Sequence, residues 1–227
     1  MITIGKIEYC IVLKKYFFNL YSDKIVMYNL SSVKIGRTNM EKKQYHHGNL
    51  KNDLIEKGLE LIDKYGVESL SMRKLAEKLG VSNAAPYAHF ENKEAFLDSI
   101  QEYITNKLTN VLRDICDHCN DNSRIILELG KGYICFFYNN PLYYQFLFIR
   151  RTINISTYPP FVLFKTVASK ILEEKYKGEI STKNINNKII VMWAMVHGLS
   201  QANNIKSIIS SDDIEKEIED ILCSIEI

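Results

Sequence analysis

Four prolines and ten glycines are few for a chain of 227 residues. Their scarcity argues for long regular elements rather than many turns. The five cysteines are odd in number and irregularly spaced, which speaks against a disulfide framework and suits a reducing cytoplasm. No run of eighteen apolar residues occurs, so no segment is expected to span a membrane. Neither sign of charge dominates: 29 Lys and Arg face 27 Asp and Glu. Residues 1–39 hold six basic and two acidic side chains, and residues 40–227 hold 23 and 25. A slightly acidic body disfavours a non-specific polycation binder, so any affinity for nucleic acid has to rest on local placement of charge. There is no Gly-rich phosphate loop and no motif-level catalytic triad, so neither an enzyme nor a cofactor is expected. Cys116-x-His118-Cys119 contains metal-ligand types, but its side chains spread around a helix and no second cluster completes four ligands. No metal is expected either.

What the chain does have is 46% hydrophobic residues, enough for a packed core, and one informative segment, residues 70–90. Ser71 can cap a helix by accepting from a backbone N–H in its first turn. Leu75, Ala76 and Leu79 then share a face, away from Arg73, Lys74, Glu77 and Lys78. Gly80 can take the left-handed conformation that ends a helix. Val81 plugs the corner, and Ser82 caps a second helix opening Asn83-Ala84-Ala85, with Pro86 in its first turn. This is either a plain helical hairpin or a DNA-reading helix-turn-helix. The flanks favour the second. Tyr87, His89 and Lys93 are phosphate-capable donors within seven positions. Lys93 follows Asn92, an N-cap type, and puts a cation at the positive end of a helix dipole. That placement suits a docked phosphate.

Residues 45–100 resemble the N-terminal DNA-binding domain of the TetR/AcrR family of bacterial regulators. The matching stretches are Tyr45-His46-His47-Gly48-Asn49-Leu50, Leu70-Ser71-Met72-Arg73, Gly80-Val81-Ser82 and Pro86-Tyr87-x-His89-Phe90-x-x-Lys93. A weaker match, Trp193-Ala194-Met195-Val196-His197-Gly198, resembles the Trp/His-Gly signature of one C-terminal subtype. The resemblance implies an all-α fold, with a helix-turn-helix head and a helical-bundle body for ligand binding and dimerisation. It implies three regions: an extension over 1–44, the head over 45–100 and the body over 101–227. Ser71, Arg73, Ser82, Asn83, Ala84 and Ala85 would approach the groove, and Tyr87, His89 and Lys93 would grip phosphates. With only Asn83 as a base reader on that corner, direct readout would fall largely to Arg73 and Asn83, and the rest to shape and methyl contacts. The implied partners are a near-palindromic double-stranded operator, a second copy docked through roughly 184–205 and 211–226, and a small effector. A repressor released by a largely apolar inducer fits best. An activator or a ligand-independent module of the same fold is the alternative.

Helices are also predicted over 49–65, with Leu54, Leu61, Ile62 and Tyr65 buried, and from Lys93 to about Ile115. Further helices are expected near 123–139, 141–151, 159–177, 184–205 and 211–226, with Ile155–Pro160 a loop. Ser210-Ser211-Asp212-Asp213 reads as a helix start, followed by the stripe Ile214, Ile218, Ile221, Leu222 and Ile225. The aromatic-rich region 133–164 is either an apolar ligand pocket or ordinary core. Tyr133, Phe137, Tyr143, Tyr144, Phe148, Trp193 and His197 are its candidate ligand contacts. Trp193 and His197 lie one turn apart, and His197 can bond either a ligand or a backbone carbonyl. Residues 1–39 do not fit the family layout: either Met40 is the natural start, or they form a basic arm reaching the minor groove.

Overall fold

The computed structural model describes residues 50–149, 153–201 and 213–224, and every regular element among them is helical. In chain order these are α1 (Leu50–Tyr65), a 3₁₀ turn (Val67–Ser69), α2 (Met72–Leu79), a second 3₁₀ turn (Pro86–Ala88) and α3 (Lys93–His118). Then come α4 (Ile125–Asn139), α5 (Pro141–Tyr144) continued by a π-helical turn (Gln145–Ile149), α6 (Pro159–Tyr176), α7 (Thr182–Leu199) and α8 (Ile214–Ser224). A short 3₁₀ turn, Ile155–Thr157, precedes α6 in the expected loop. The all-α expectation holds. Two compact units part between Asp98 and Ser99, a head and a body. The expected extension over 1–44, the motif at 45–49 and Ser210–Asp212 lie outside the described residues, as do parts of the two predicted dimer helices.

In the head, α1 buries Leu54, Ile55, Leu59, Leu61 and Ile62. Tyr65 departs from the prediction: it is 46% exposed. Gly66 follows at φ 78° and turns the chain, so no helix wall covers the ring. The ammonium of Lys74 sits 4.0 Å from the ring centroid instead. Ser71 caps α2, its hydroxyl accepting from the Lys74 N–H at 3.1 Å. Gly80, at φ 67°, ends α2. The Val81 N–H donates to the Ala76 carbonyl and the Gly80 N–H to that of Glu77, both at 3.1 Å. This is the paired C-terminal closure that needs a left-handed residue at Gly80.

The second helix of the pair is shorter and tighter than predicted. Residues 83–85 form a turn, closed by the Ala85 N–H on the Ser82 carbonyl at 3.0 Å, and only Pro86–Ala88 continue as a 3₁₀ turn. Ser82 therefore closes the corner with its backbone, and its hydroxyl makes no cap bond among the described residues. Pro86 gives the physical reason. It has no N–H to return to Ser82, so the α-helical bond that would join the turn to a longer helix is missing.

In the body, α4 lies against α6, α7 and α8. Gly130 permits close approach, since a Cβ there would stand 3.2 Å from Val196 Cγ1 on α7. Ile218 and Leu222 of α8 are buried. Part of the stripe on α8 is thus spent within the chain. An ionic cluster pins the same contact. Glu219 receives Arg124 Nη2 at 2.6 Å and Lys131 Nζ at 3.0 Å, and Glu128 pairs with the same two cations at 3.0 and 2.9 Å. Asp213 caps α8, accepting from the Lys216 N–H at 3.1 Å.

Candidate nucleic-acid interface and aromatic core

The short helical corner leaves Ser82, Asn83 and Ala84 exposed and Ala85 half-buried, while Pro86 beneath them is buried. Ser71 and Arg73 at the start of α2 are exposed as well. Tyr87 is 56% exposed, and His89 is exposed beside the buried Phe90, which stacks edge-on against Phe96 at 4.9 Å. Phe90 and Phe96 thus anchor the corner while the polar residues around them face out. Asn92 caps α3, its side chain accepting from the Ala95 N–H at 2.9 Å.

Lys93, expected to grip a phosphate, also has a partner within the head. Its ammonium donates to the Val67 carbonyl at 3.0 Å, tying the start of α3 to the turn between α1 and α2. An ammonium carries three donors, so two remain for an anion. Sequence reasoning missed this tie because its acceptor is a backbone carbonyl 26 residues away.

The aromatic residues of the body converge on His197. The Tyr133 hydroxyl lies 3.0 Å from Nδ1 and the Tyr144 hydroxyl 3.3 Å from Nε2. Phe148 packs edge-on to the imidazole at 4.5 Å, and Trp193 lies parallel to it at 6.4 Å. Tyr133, Phe137, Tyr144 and Trp193 are buried. Burial depresses the pKa of His197 and raises those of Tyr133 and Tyr144, so all three are neutral at pH 7. A neutral imidazole has one donor and one acceptor, so one phenol donates to it and the other accepts from it.

Tyr143 does not join this group. Its ring meets Phe136 at 5.8 Å, because neighbouring residues on a helix point about 100° apart and Tyr144 takes the inward position. The π-helical turn that follows buries Phe146 and Leu147 and brings Phe148 to the imidazole. Tyr158 is a contact that sequence reasoning counted among the aromatics but did not single out. It is 3% exposed and packs against Phe148 at 5.7 Å and Trp193 at 6.4 Å. Its hydroxyl has no hydrogen-bond partner among the described residues. Cys116 and Cys119 are half-buried thiols with pKa values raised, first by burial and then by neighbouring carboxylates. Among the described residues no cluster of His, Cys, Asp and Glu could hold a metal ion, and no helix is long and apolar enough to cross a membrane.

The family model for bacterial regulatory proteins of the tetR family matches residues 54–100, which contain the capped α2, the Gly80 turn and the exposed corner. These residues form a TetR-family N-terminal domain. The tetracycline repressor protein class G of Vibrio anguillarum is 50% identical over 52 residues, 23% of this chain and 25% of that protein. The nucleoid occlusion factor SlmA of Salmonella paratyphi B is 32% identical over 99 residues, 41% of this chain and 50% of that protein. The chain thus spans about a quarter to a half of the length of these relatives. The solved structure of the TetR family transcriptional regulator PfmR from Thermus thermophilus superposes with a TM-score of 0.57, covering 76% of this chain and 96% of that one. At 16% identity that likeness speaks for the fold alone.

Proposed function

We propose that this protein is a ligand-responsive transcriptional regulator, a repressor that reads a near-palindromic operator with its TetR-type head and leaves it when a small apolar effector enters the body. The observation that carries this is the exposed, charge-free corner Ser82–Ala85 set among the donors Arg73, Tyr87, His89 and Lys93. Small side chains let the backbone approach base edges, while the flanking donors reach phosphates. The head spans 45–100 and the body 101–227 in this reading, and the Trp193 to Gly198 stretch belongs to the Trp/His-Gly subtype. Two copies associate through α7 and α8, a role supported by Ile190 and Val191, which are 57% and 45% exposed on α7. Twofold symmetry then sets half-sites about 34–36 Å apart. An effector acts by favouring one position of α3 over another, which requires different affinities for the two states. The setting is the cytoplasm.

Selection of duplexes from a random pool, followed by anisotropy titration at several salt concentrations, tests this reading. A palindromic consensus is expected. Tyr87→Phe should weaken binding to all sequences and lower the salt slope little. Asn83→Ala should relax preference at particular bases. Recovery of no consensus, with binding indifferent to Asn83→Ala, refutes it. A second reading, a DNA-binding module without an effector, is favoured by one observation: the Tyr133–His197–Tyr144 bonds already satisfy one another.

A further inference from the structure

We propose that Cys116 and Cys119 form a two-thiol site for a trivalent arsenic centre that carries one organic group. The site shares no residue with the exposed corner or the aromatic core, and it does not depend on the effector reading.

Both thiols are free and half-buried. They stand three residues apart at the end of α3, whose last helical residue is His118. The Cys119 N–H still donates to the Ile115 carbonyl at 2.9 Å, so the helical path continues through Cys119. Three residues turn a helix by about 300°, which leaves the two side chains about 60° apart on one face. They also sense each other: after burial and the charge of Asp117, Cys119 is a further cause of the raised Cys116 pKa.

Spacing narrows the ligand. Cβ atoms three residues apart on a helix are separated by about 5–6 Å, whereas a disulfide takes about 3.5–4.5 Å. A direct S–S bond would therefore have to unwind the turn. An atom bonded between the two sulfurs lengthens the bridge and lets the turn stay. The raised pKa values, caused first by burial in both residues, keep the pair as thiols at pH 7, and oxidants and disulfides are attacked by thiolates.

The number of ligands narrows it further. His118 points about 100° away from Cys119 around the helix, and its Nδ1 donates back to the Asp114 carbonyl at 2.7 Å. Among the described residues no three side chains of His, Cys, Asp and Glu are grouped to hold a metal ion. Zinc, which takes four ligands, is left short. So is inorganic arsenite, which has three valences to fill. An arsenic centre with one carbon substituent has two valences left, and two thiols fill them. Two As–S bonds form and the As=O bond breaks. Both S–H protons leave with that oxygen as water, and arsenic stays trivalent. Cys119 gives up only a weak S–H bond to the Asp121 carbonyl at 3.4 Å.

The probe is phenylarsine oxide, added in equimolar amount to the reduced full-length chain. Tryptic cleavage after Arg113 and Arg124 releases a peptide that holds Cys116 and Cys119 and no other cysteine. Mass spectrometry should find the phenylarsenic group on that peptide, with two hydrogens lost. Cys116→Ser and Cys119→Ser should each weaken binding by about 10²–10⁴-fold, the advantage of a second attachment made within one molecule. Cys223→Ser should leave binding unchanged, and inorganic arsenite should bind more weakly than the phenyl probe. Arsenic on another cysteine peptide, full affinity in either serine variant, or tighter binding of arsenite overturns the proposal. So does ready closure of a Cys116–Cys119 disulfide by diamide, since that bond requires the turn to unwind. The peptide map reads the wild-type protein, so it decides even where a serine variant folds poorly.

Discussion

The ionic cluster between α4 and α8 supports a prediction with a defined pH dependence. Glu219 is the shared anion: Arg124 holds one of its oxygens and Lys131 the other. Its side chain is 26% exposed, against 29% for Arg124 and 16% for Lys131. Fully exposed pairs contribute about 0–1 kcal/mol, and removing one partner of a fully buried pair costs about 3–5 kcal/mol. A quarter-exposed anion shared by two cations falls between, so Glu219→Gln should cost about 1–3 kcal/mol, which lowers Tm by roughly 2–10 °C in a chain of this size. Gln keeps the shape and one acceptor but turns the other oxygen into a donor that faces a cation, so the loss combines the charge with one hydrogen bond. Burial alone would raise the Glu219 carboxyl, but the Lys131 and Arg124 hydrogen bonds and charges outweigh it and hold its pKa below the ordinary value. A depressed folded-state pKa stabilises the fold fully above the unfolded value, about 4.3 for Glu, and that contribution is lost as pH falls through the folded value. The gap between wild type and variant, followed by circular dichroism melting at fixed protein concentration, should be constant from pH 8 to about 5.5 and narrow below about 4.3. No gap at pH 7, or a gap that does not narrow in acid, would refute the reasoning.

Two further substitutions separate backbone strain from side-chain bonding in the head. Gly80→Ala meets no neighbouring atom but must hold φ 67°, so it should cost about 1–2 kcal/mol, read as a lower urea midpoint with an unchanged slope. Lys93→Met keeps the alkyl stem and removes the donor to Val67. It should cost about 0.5–1.5 kcal/mol and also weaken operator binding, and Lys93→Arg should recover stability. If Lys93→Met leaves the melting of the head unchanged, the tie to Val67 contributes nothing in solution.

Much of the head was legible because its decisive features are local. A cap at Ser71, a left-handed glycine at position 80 and a cap at Asn92 each act within a few residues of themselves, so spacing alone exposes them. Errors arose where a local rule met a second one. Pro86 suits the first turn of a helix, but it also removes the bond that would have lengthened that helix. Tyr65 lies on the apolar stripe of α1, but the helix ends beneath it. In the body the helices were legible from periodicity and the pairings were not. Nothing in the local sequence tells Tyr144 from Tyr143, or says that the phenols at 133 and 144 share His197 while that of Tyr158 goes without. Those facts belong to contacts between residues 53 and 64 positions apart.

The same distinction explains how similarity is distributed along the chain. The family model matches residues 54–100, in the head, whereas the superposition with PfmR covers 76% of the chain at 16% identity. A head that docks on a duplex faces a partner of nearly constant width and phosphate spacing. The cap, the glycine turn and the donors around the corner must therefore keep fixed positions relative to one another. A body has only to fill its interior and seat its helices, and many side-chain sets do that provided volume and patterning are kept. What distinguishes one body from another is then its few buried polar groups, because each must be matched and cannot be exchanged freely. Among the described residues of this body the phenols of Tyr133 and Tyr144 are matched to His197, Glu128 is paired with Arg124 and Lys131, and the hydroxyls of Thr109 and Ser200 donate to carbonyls of their own helices.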